Sequence, residues 1–155
     1  MNRSMPRIVL ACMLLLGTGS TAGHAGMLGG FEPGIRLGAY TDNSDFFVGV
    51  DAKFNVLRFN ADPSIEYVFV DDATLMTFNL DALMDVIQLP KVSGWLGAGV
   101  GLMYFDTDES DSSTDPILNL IAGVGVNVLF NPYVMAEWIF GDNNDGFVIC
   151  TGIHF

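Results

Sequence analysis

Apolar residues recur at every second position in eight segments of this 155-residue chain. Alternation with a period of two is typical of β-strands that have one apolar and one polar face. In the last segment, Phe147, Ile149, Ile153 and Phe155 fall on one face and His154 on the other. We predict strands over residues 34–40, 46–58, 64–70, 73–81, 92–105, 117–130, 133–140 and 145–155. The chain is therefore predicted to be all-β.

The segments between the predicted strands differ in length and chemistry. Residues 60–63, Asn-Ala-Asp-Pro, are predicted to form a turn because Asn, Asp and Pro favour turn conformations. Residues 82–91 are predicted as a longer connection with room for one helical turn before Pro90, and residues 106–116 as a polar, acidic loop. Residues 26–33 are Gly-rich and lack periodicity, so they are predicted as a lead-in to the first strand.

The beginning of the chain has the three parts of a secretory signal peptide: a basic start with Arg3 and Arg7, an apolar core, and a tail of small residues. Cleavage is predicted after Ala25, with Ala22 as the alternative. The apolar core is too short to span a bilayer as a helix. The predicted organisation is a signal peptide over 1–25, a lead-in over 26–33 and a barrel domain over 34–155.

The composition combines apolar and acidic character. Half of the residues are hydrophobic, yet the formal net charge is −12. This fits a protein whose apolar surface faces lipid and whose charges lie in its turns. No nucleic-acid partner is expected, because the chain lacks a basic surface. The longest apolar runs, 92–105 and 117–130, are shorter than a transmembrane helix, so strands are predicted to cross the membrane.

Alternation alone does not say which face points inward, since a soluble barrel buries its apolar face and a membrane barrel exposes it. The polar face carries charges in mid-strand, and aromatic residues on the apolar face gather near strand ends, as they do at membrane interfaces. We therefore predict that the polar face lines the lumen. Its charged residues form a predicted lumen cluster of two cations and three carboxylates that plugs the barrel: Arg36, Asp51, Lys53, Glu66 and Glu137.

Four short motifs complete the pattern: Gly97-Ala98-Gly99-Val100-Gly101, Gly123-Val124-Gly125, Asn131-Pro132-Tyr133 and Gly152-Ile153-His154-Phe155. With them, residues 34–155 resemble the small eight-stranded outer-membrane barrels of the OmpA transmembrane-domain, OmpX and opacity-protein type. The resemblance implies an antiparallel, up-and-down transmembrane β-barrel in the bacterial outer membrane, surrounded by lipid and lipopolysaccharide. It also implies insertion by the barrel-assembly machinery, with Phe155 as the barrel-closing C-terminal signal. A monomer is expected.

In this topology the connections after the odd-numbered strands are extracellular. They hold eleven of the eighteen acidic residues and no Lys or Arg. These are Asp42, Asp45, Asp71, Asp72, Asp106, Asp108, Glu109, Asp111, Asp115, Asp142 and Asp145. The charge distribution therefore agrees with the topology.

Two interpretations of the acidic loop over residues 106–116 are considered, a metal site and a solvated loop. The stretch from Asp106 begins like a calcium loop, but it lacks the glycine at the sixth position and has Ile117 where the bidentate Glu belongs. No dedicated metal site is expected. A solvated loop that keeps the outer face hydrophilic is the favoured interpretation. The alternative is a weak cation-binding rim formed by Asp106, Asp108, Glu109 and Asp111.

The sequence gives little support to catalysis. Once the leader is removed, His154 is the one histidine, and Ser93 is the only serine that we consider as its partner. We expect His154 to fill space at the membrane interface, Cys150 to be a small buried side chain, and Trp95 to plug the lumen over Gly97 and Gly99. No catalytic residue and no cofactor are expected.

The predicted function is that of an outer-membrane barrel with a structural or surface-interaction role and a lumen plugged by side chains. The first alternative is a narrow pore or small-solute channel. The second is a periplasmic, lipocalin-like binding barrel.

Overall fold

The computed structural model describes residues 29–56, 58–70, 73–107, 110–141 and 145–155, with the backbone alone for residues 29, 107, 110 and 111. Its eight strands are β1 (Gly29–Tyr40), β2 (Asp45–Val56), β3 (Phe59–Phe69), β4 (Ala73–Gln88), β5 (Val92–Thr107), β6 (Ser110–Val126), β7 (Pro132–Gly141) and β8 (Gly146–His154). The predicted signal peptide, residues 1–25, lies outside the described residues.

The eight strands close into one antiparallel barrel in which each strand pairs with its neighbours in sequence. β1 and β8 complete the ring along a seam that runs from Gly34 opposite His154 to Tyr40 opposite Val148. Closure pairs the backbone groups that an open sheet edge would expose. The predicted fold class, an eight-stranded up-and-down antiparallel barrel, is confirmed.

The two faces of the strands have opposite character. Outward side chains are apolar and exposed, with Leu37 61%, Phe46 68% and Trp138 57% exposed, whereas the inward Arg36 and Glu66 are buried. An outward apolar surface around a polar interior is the arrangement of a membrane barrel rather than a soluble one. In the described parts of the chain, no helix is long and apolar enough to cross a bilayer.

Several predicted strand ends were wrong, because the strand ladder continues beyond them. Residues 60–63 do not form a turn but belong to β3, and residues 82–88 belong to β4. Pro63 pairs with Leu80 on the β4 side, and the β2–β3 pairing is interrupted between Ser64 and Ala61. Proline has no backbone N–H to donate, and it fits at this position because the β2–β3 ladder is interrupted there.

The predicted loop over residues 106–116 was also wrong. β5 runs to Thr107 and β6 begins at Ser110, so most of this polar stretch forms a hairpin. At the other end of the barrel, β1 begins at Gly29, five residues before the predicted strand start. Polar and Gly-rich sequence here extends the strands beyond the apolar segments that the alternation revealed.

We name the two ends of the barrel after the ends of the described chain and the acidic connections that lie there. The terminal end holds Gly29, His154 and the connections β2–β3, β4–β5 and β6–β7. The acidic end holds the other four connections. Phe155 follows β8 at the terminal end, where its backbone N–H donates to the carbonyl of Pro33 at 2.9 Å and its ring packs edge-on against Phe130. Phe155 thus continues the β1–β8 seam.

Candidate functional site in the barrel lumen

Apolar side chains point into the lumen near the acidic end. Each strand contributes one: Tyr40, Phe47, Val68, Leu75, Met103, Ile117, Ile139 and Val148. Seven are buried and Leu75 is partly buried. An eight-stranded barrel has an interior just wide enough for side chains to fill, and these side chains pack together across it. We call this set the apolar layer.

Above the apolar layer, the acidic end has a recess of about 290 Å³ with Asp42, Asp45 and Asp145 in its wall. Two of these carboxylates accept backbone hydrogen bonds: Asp42 from the N–H of Phe147 at 3.1 Å, and Asp145 from that of Gly141 at 3.2 Å. Such contacts hold the ends of the strands together. These acids therefore have a structural use that requires no ligand.

Below the apolar layer, the centre of the lumen is polar. Arg36 Nη2 lies 2.9 Å from Glu66 Oε1, although this approach lacks the angular geometry of a hydrogen bond. The contact is therefore a close charge pair. Glu66 also accepts a hydrogen bond from the Thr77 hydroxyl at 2.7 Å. Both charges are almost fully buried, so each depends on the other for compensation.

The described lumen contains more buried carboxylates than cations. Asp51, Asp62, Glu66, Asp81 and Glu137 are all buried, whereas Arg36 is the one buried basic residue of the described chain apart from His154. Asn119 donates to Asn79 at 3.2 Å and to Asp81 at 3.4 Å. One oxygen each of Asp62, Asp81 and Glu137 has no hydrogen-bond partner among the described residues. Buried polar atoms of this kind are normally satisfied by internal water.

A second polar group lies nearer the terminal end. The Tyr133 hydroxyl donates to Asp51 Oδ2 at 2.7 Å, and His154 Nε2 lies 3.3 Å from the same oxygen. The rings of Tyr133 and His154 stack with centroids 4.8 Å apart. His154 is buried and points into the lumen, so the expectation that it fills space at the interface was wrong.

Trp95 covers the lumen wall at the terminal end. A Cβ atom added to Gly123 or Gly125 of β6 would meet its ring, so these glycines leave the space that the indole occupies. The predicted glycine partners on β5 itself were wrong, because the indole reaches across to the neighbouring strand. Its other neighbours are Tyr133, with ring centroids 5.9 Å apart, and the ammonium of Lys53, 5.2 Å from the ring centroid.

These side chains border a recess of about 400 Å³ that we call the terminal recess. Trp95, Tyr133 and His154 supply aromatic surface, while Lys53 and Glu32 supply opposite charges. Its volume lies within the range of small-molecule sites, which often occupy the mouths of barrels. A larger concavity of about 820 Å³ is lined mainly by outward apolar side chains such as Leu102 and Leu118, and it therefore belongs to the lipid-facing surface.

The predicted lumen cluster is split in the structure. Arg36 and Glu66 form one pair, Asp51 joins Tyr133 and His154, and Lys53 lies half-buried over Trp95. Two further buried acids, Asp62 and Asp81, lie outside the predicted cluster. Asp62 falls in the segment predicted as a turn, whereas Asp81 has the inward parity of its predicted strand, which is the signal that identifies it.

Ser93 and His154 both border the terminal recess, but no hydrogen bond joins them in the described chain. The imidazole is instead placed against a carboxylate and a tyrosine ring. A nucleophile and its base need to be within hydrogen-bond reach, so this pair does not form a catalytic arrangement. Cys150 is buried on the inward face of β8, as a small side chain opposite Gly38.

The predicted cation-binding rim falls largely outside what the structure describes. Asp108 and Glu109 lie outside the described residues, and the side chain of Asp111 is likewise not described. Asp106 is half-exposed near the end of β5. Among the described side chains, no group of three or more His, Cys, Asp or Glu is arranged to hold a metal ion.

Comparison with known proteins identifies the architecture. No protein-family profile and no curated protein sequence matches the chain. Among solved structures, it is similar to the N-terminal β-barrel domain of Pseudomonas aeruginosa OprF, with a TM-score of 0.63 and 14% identity over 83% of this chain and 99% of that one. Neisserial surface protein A gives a TM-score of 0.63 and 15% identity, over 85% and 98% of the two chains. A de novo designed transmembrane β-barrel gives 0.51 and 17%, over 85% and 98%.

The chain has the fold of a small outer-membrane β-barrel. Its closed ring of eight antiparallel strands and its outward apolar surface agree with that fold. At these identities the comparisons define the fold, and the role of the barrel has to be argued from its own lumen and surfaces.

Proposed function

We propose that this protein is a non-conducting outer-membrane barrel with a structural or surface-interaction role. The apolar layer is the observation that carries the proposal. It contains one side chain from each of the eight strands, so removal of one side chain leaves seven in place. An apolar constriction resists wetting and opposes the passage of ions. No enzymatic role is proposed.

The orientation in the membrane follows from the connections and the charges. We propose that the acidic end faces the outside, so that Asp42, Asp45 and Asp145 keep this surface hydrophilic among lipopolysaccharide molecules. The terminal end then faces the periplasm, as expected for a barrel whose two chain ends lie on the same side. Lipid and lipopolysaccharide surround the outward apolar face, and the barrel acts as a monomer.

A narrow channel is the competing function, and the polar centre of the lumen is the observation that favours it. Five buried carboxylates would attract cations if the apolar layer opened. The two functions differ in what the layer does. In a plugged barrel the layer is static, whereas in a channel it is a gate.

Single-channel recording in planar bilayers tests the proposal. The purified, folded wild-type protein is expected to give no stepwise ion conductance, because the apolar layer obstructs the lumen. A variant with Phe47→Ala and Ile139→Ala thins the layer on two separate strands, and conductance is the result expected of it. A variant with Phe46→Ala and Trp138→Ala, both on the outward face, is its matched control. Stable conductance steps from the wild type would overturn the plugged-barrel proposal in favour of the channel.

A further inference from the structure

Two opposite charges in the terminal recess stand side by side without forming an ion pair. Glu32 of β1 and Lys53 of β2 are directly opposite in the strand register, so their Cβ atoms are about 5 Å apart. Opposite charges at such positions normally attract one another. Within the described chain, however, neither residue takes part in an ion pair, and the Lys53 ammonium lies over the Trp95 ring.

The floor of the recess is formed by buried aromatic side chains that their neighbours hold in place. Trp95 is held against Gly123 and Gly125, and Tyr133 is fixed by its hydrogen bond to Asp51 and its stacking on His154. Aromatic rings held in this way present contact surface to a ligand at little entropic cost. The recess therefore combines a preformed aromatic floor with one ammonium and one carboxylate that form no ion pair within the described chain.

We propose that the terminal recess binds a small zwitterion, namely a free amino acid or a dipeptide. Its carboxylate contacts the Lys53 ammonium, its own ammonium contacts the Glu32 carboxylate, and its carbon skeleton packs against the aromatic floor beside the Lys53 ammonium. A cavity of about 400 Å³ accommodates a ligand of this size.

The surrounding charges favour a zwitterion over a simple ion. A purely anionic ligand would lie near Glu32 and Asp85 as well as Lys53, and like charges close together repel. A purely cationic ligand would compete with Lys53 for the Trp95 face. Asp85 already accepts hydrogen bonds from Asn60 and Gln88, which leaves Glu32 as the carboxylate available for a ligand ammonium.

This binding does not depend on the role proposed for the barrel. Only the source of the ligand, the periplasm, rests on the proposed orientation. A conducting barrel could still bind a zwitterion at its terminal end, and a plugged barrel could fail to do so. The binding experiment and the conductance experiment therefore fail separately.

Fluorescence titration of the folded protein in detergent with alanyl-alanine tests the proposal. A Trp138→Phe background leaves Trp95 as the reporting indole, since the chain has two tryptophans. We expect a saturable change in Trp95 emission. N-acetyl-alanyl-alanine and alanyl-alanine amide each lack one charge, and each should bind at least about tenfold more weakly because one charge-assisted contact is lost.

Substitutions identify which protein side chain binds which charged group of the ligand. Lys53→Gln should weaken binding of alanyl-alanine by about tenfold and should abolish the difference between the free dipeptide and its amide. Glu32→Gln should abolish the difference between the free and the acetylated dipeptide. Lys91→Gln, on the exposed β4–β5 connection, is the matched control and should bind like the parent.

Three results would overturn the proposal: no saturable response to alanyl-alanine in the folded parent protein, equal affinity for the free and blocked dipeptides, or unchanged discrimination in the Lys53→Gln variant. Folding of each variant is verified beforehand by its shifted migration in unheated gels. A variant that fails this control is replaced by Lys53→Met or Glu32→Ala.

Discussion

Glycines line the lumen wall where a large side chain from a neighbouring strand lies across it. Tyr133 lies over Gly152, Phe47 over Gly38 and Asp81 over Gly99, and in each case an added Cβ atom would meet the larger side chain. Eight strands leave little interior volume, so a bulky residue is accommodated only where its neighbour has none. The glycines therefore set the positions at which the lumen is filled.

The Arg36–Glu66 pair yields a residue-scale prediction about stability. Arg36→Met should lower the free energy of unfolding by about 3–5 kcal/mol, because it leaves the buried Glu66 carboxylate without its cation. The measurement is the urea unfolding midpoint of the barrel refolded in detergent. The double variant Arg36→Met with Glu66→Met should recover part of the loss, since no uncompensated charge of the pair remains.

The matched control is Arg58→Met, a basic residue on the exposed β2–β3 connection. Its unfolding midpoint should stay close to that of the wild type. If Arg36→Met is as stable as this control, the Arg36–Glu66 pair does not stabilise the barrel.

At the scale of elements, strand faces were predictable from the sequence and strand ends were not. The period-two alternation correctly assigned the inward and outward sides of every strand, because the lipid and the lumen impose opposite chemistry on them. Residues 60–63 were misassigned because the turn-favouring Asn60 and Asp62 are buried in the polar lumen rather than exposed to solvent. Residues 82–88 were misassigned although Met84 and Val86 continue the outward apolar alternation of β4. Local turn propensity was overridden by barrel pairing.

The lumen site was predictable only in part, for a related reason. The inward parity of Arg36, Asp51 and Glu66 follows from the strands alone. Their partners do not, because the barrel register decides that Arg36 meets Glu66 while Asp51 meets Tyr133 and His154. Contacts across the lumen join strands that are far apart in sequence, and no local pattern encodes them.

The terminal strand yields a prediction about assembly. Phe155→Ala should reduce the fraction of protein that reaches the outer membrane in folded form, because Phe155 continues the β1–β8 seam and packs on Phe130. The measurement is the amount of heat-modifiable, protease-resistant barrel in outer-membrane fractions. Leu129→Ala, an exposed apolar substitution on the neighbouring β6–β7 connection, is the control. Equal levels of folded protein in the two variants would show that Phe155 is not part of the assembly signal.

For the whole molecule, the arrangement of the lumen is asymmetric. Apolar side chains from all eight strands pack together near the acidic end, whereas polar and aromatic groups surround a recess at the terminal end. The barrel therefore offers two different surfaces to the two sides of the membrane. One is an acidic face above the apolar layer and the other is a recess lined by polar and aromatic groups.

Sided labelling of single cysteines tests this account most directly. In a Cys150→Ser background, Ser110→Cys places a thiol at the β5–β6 hairpin of the acidic end, and Ser93→Cys places one in the terminal recess. A bulky, membrane-impermeant maleimide should label Ser110→Cys on intact cells and Ser93→Cys only after the outer membrane is permeabilised. Labelling of Ser93→Cys on intact cells, with Ser110→Cys protected until permeabilisation, would contradict the account.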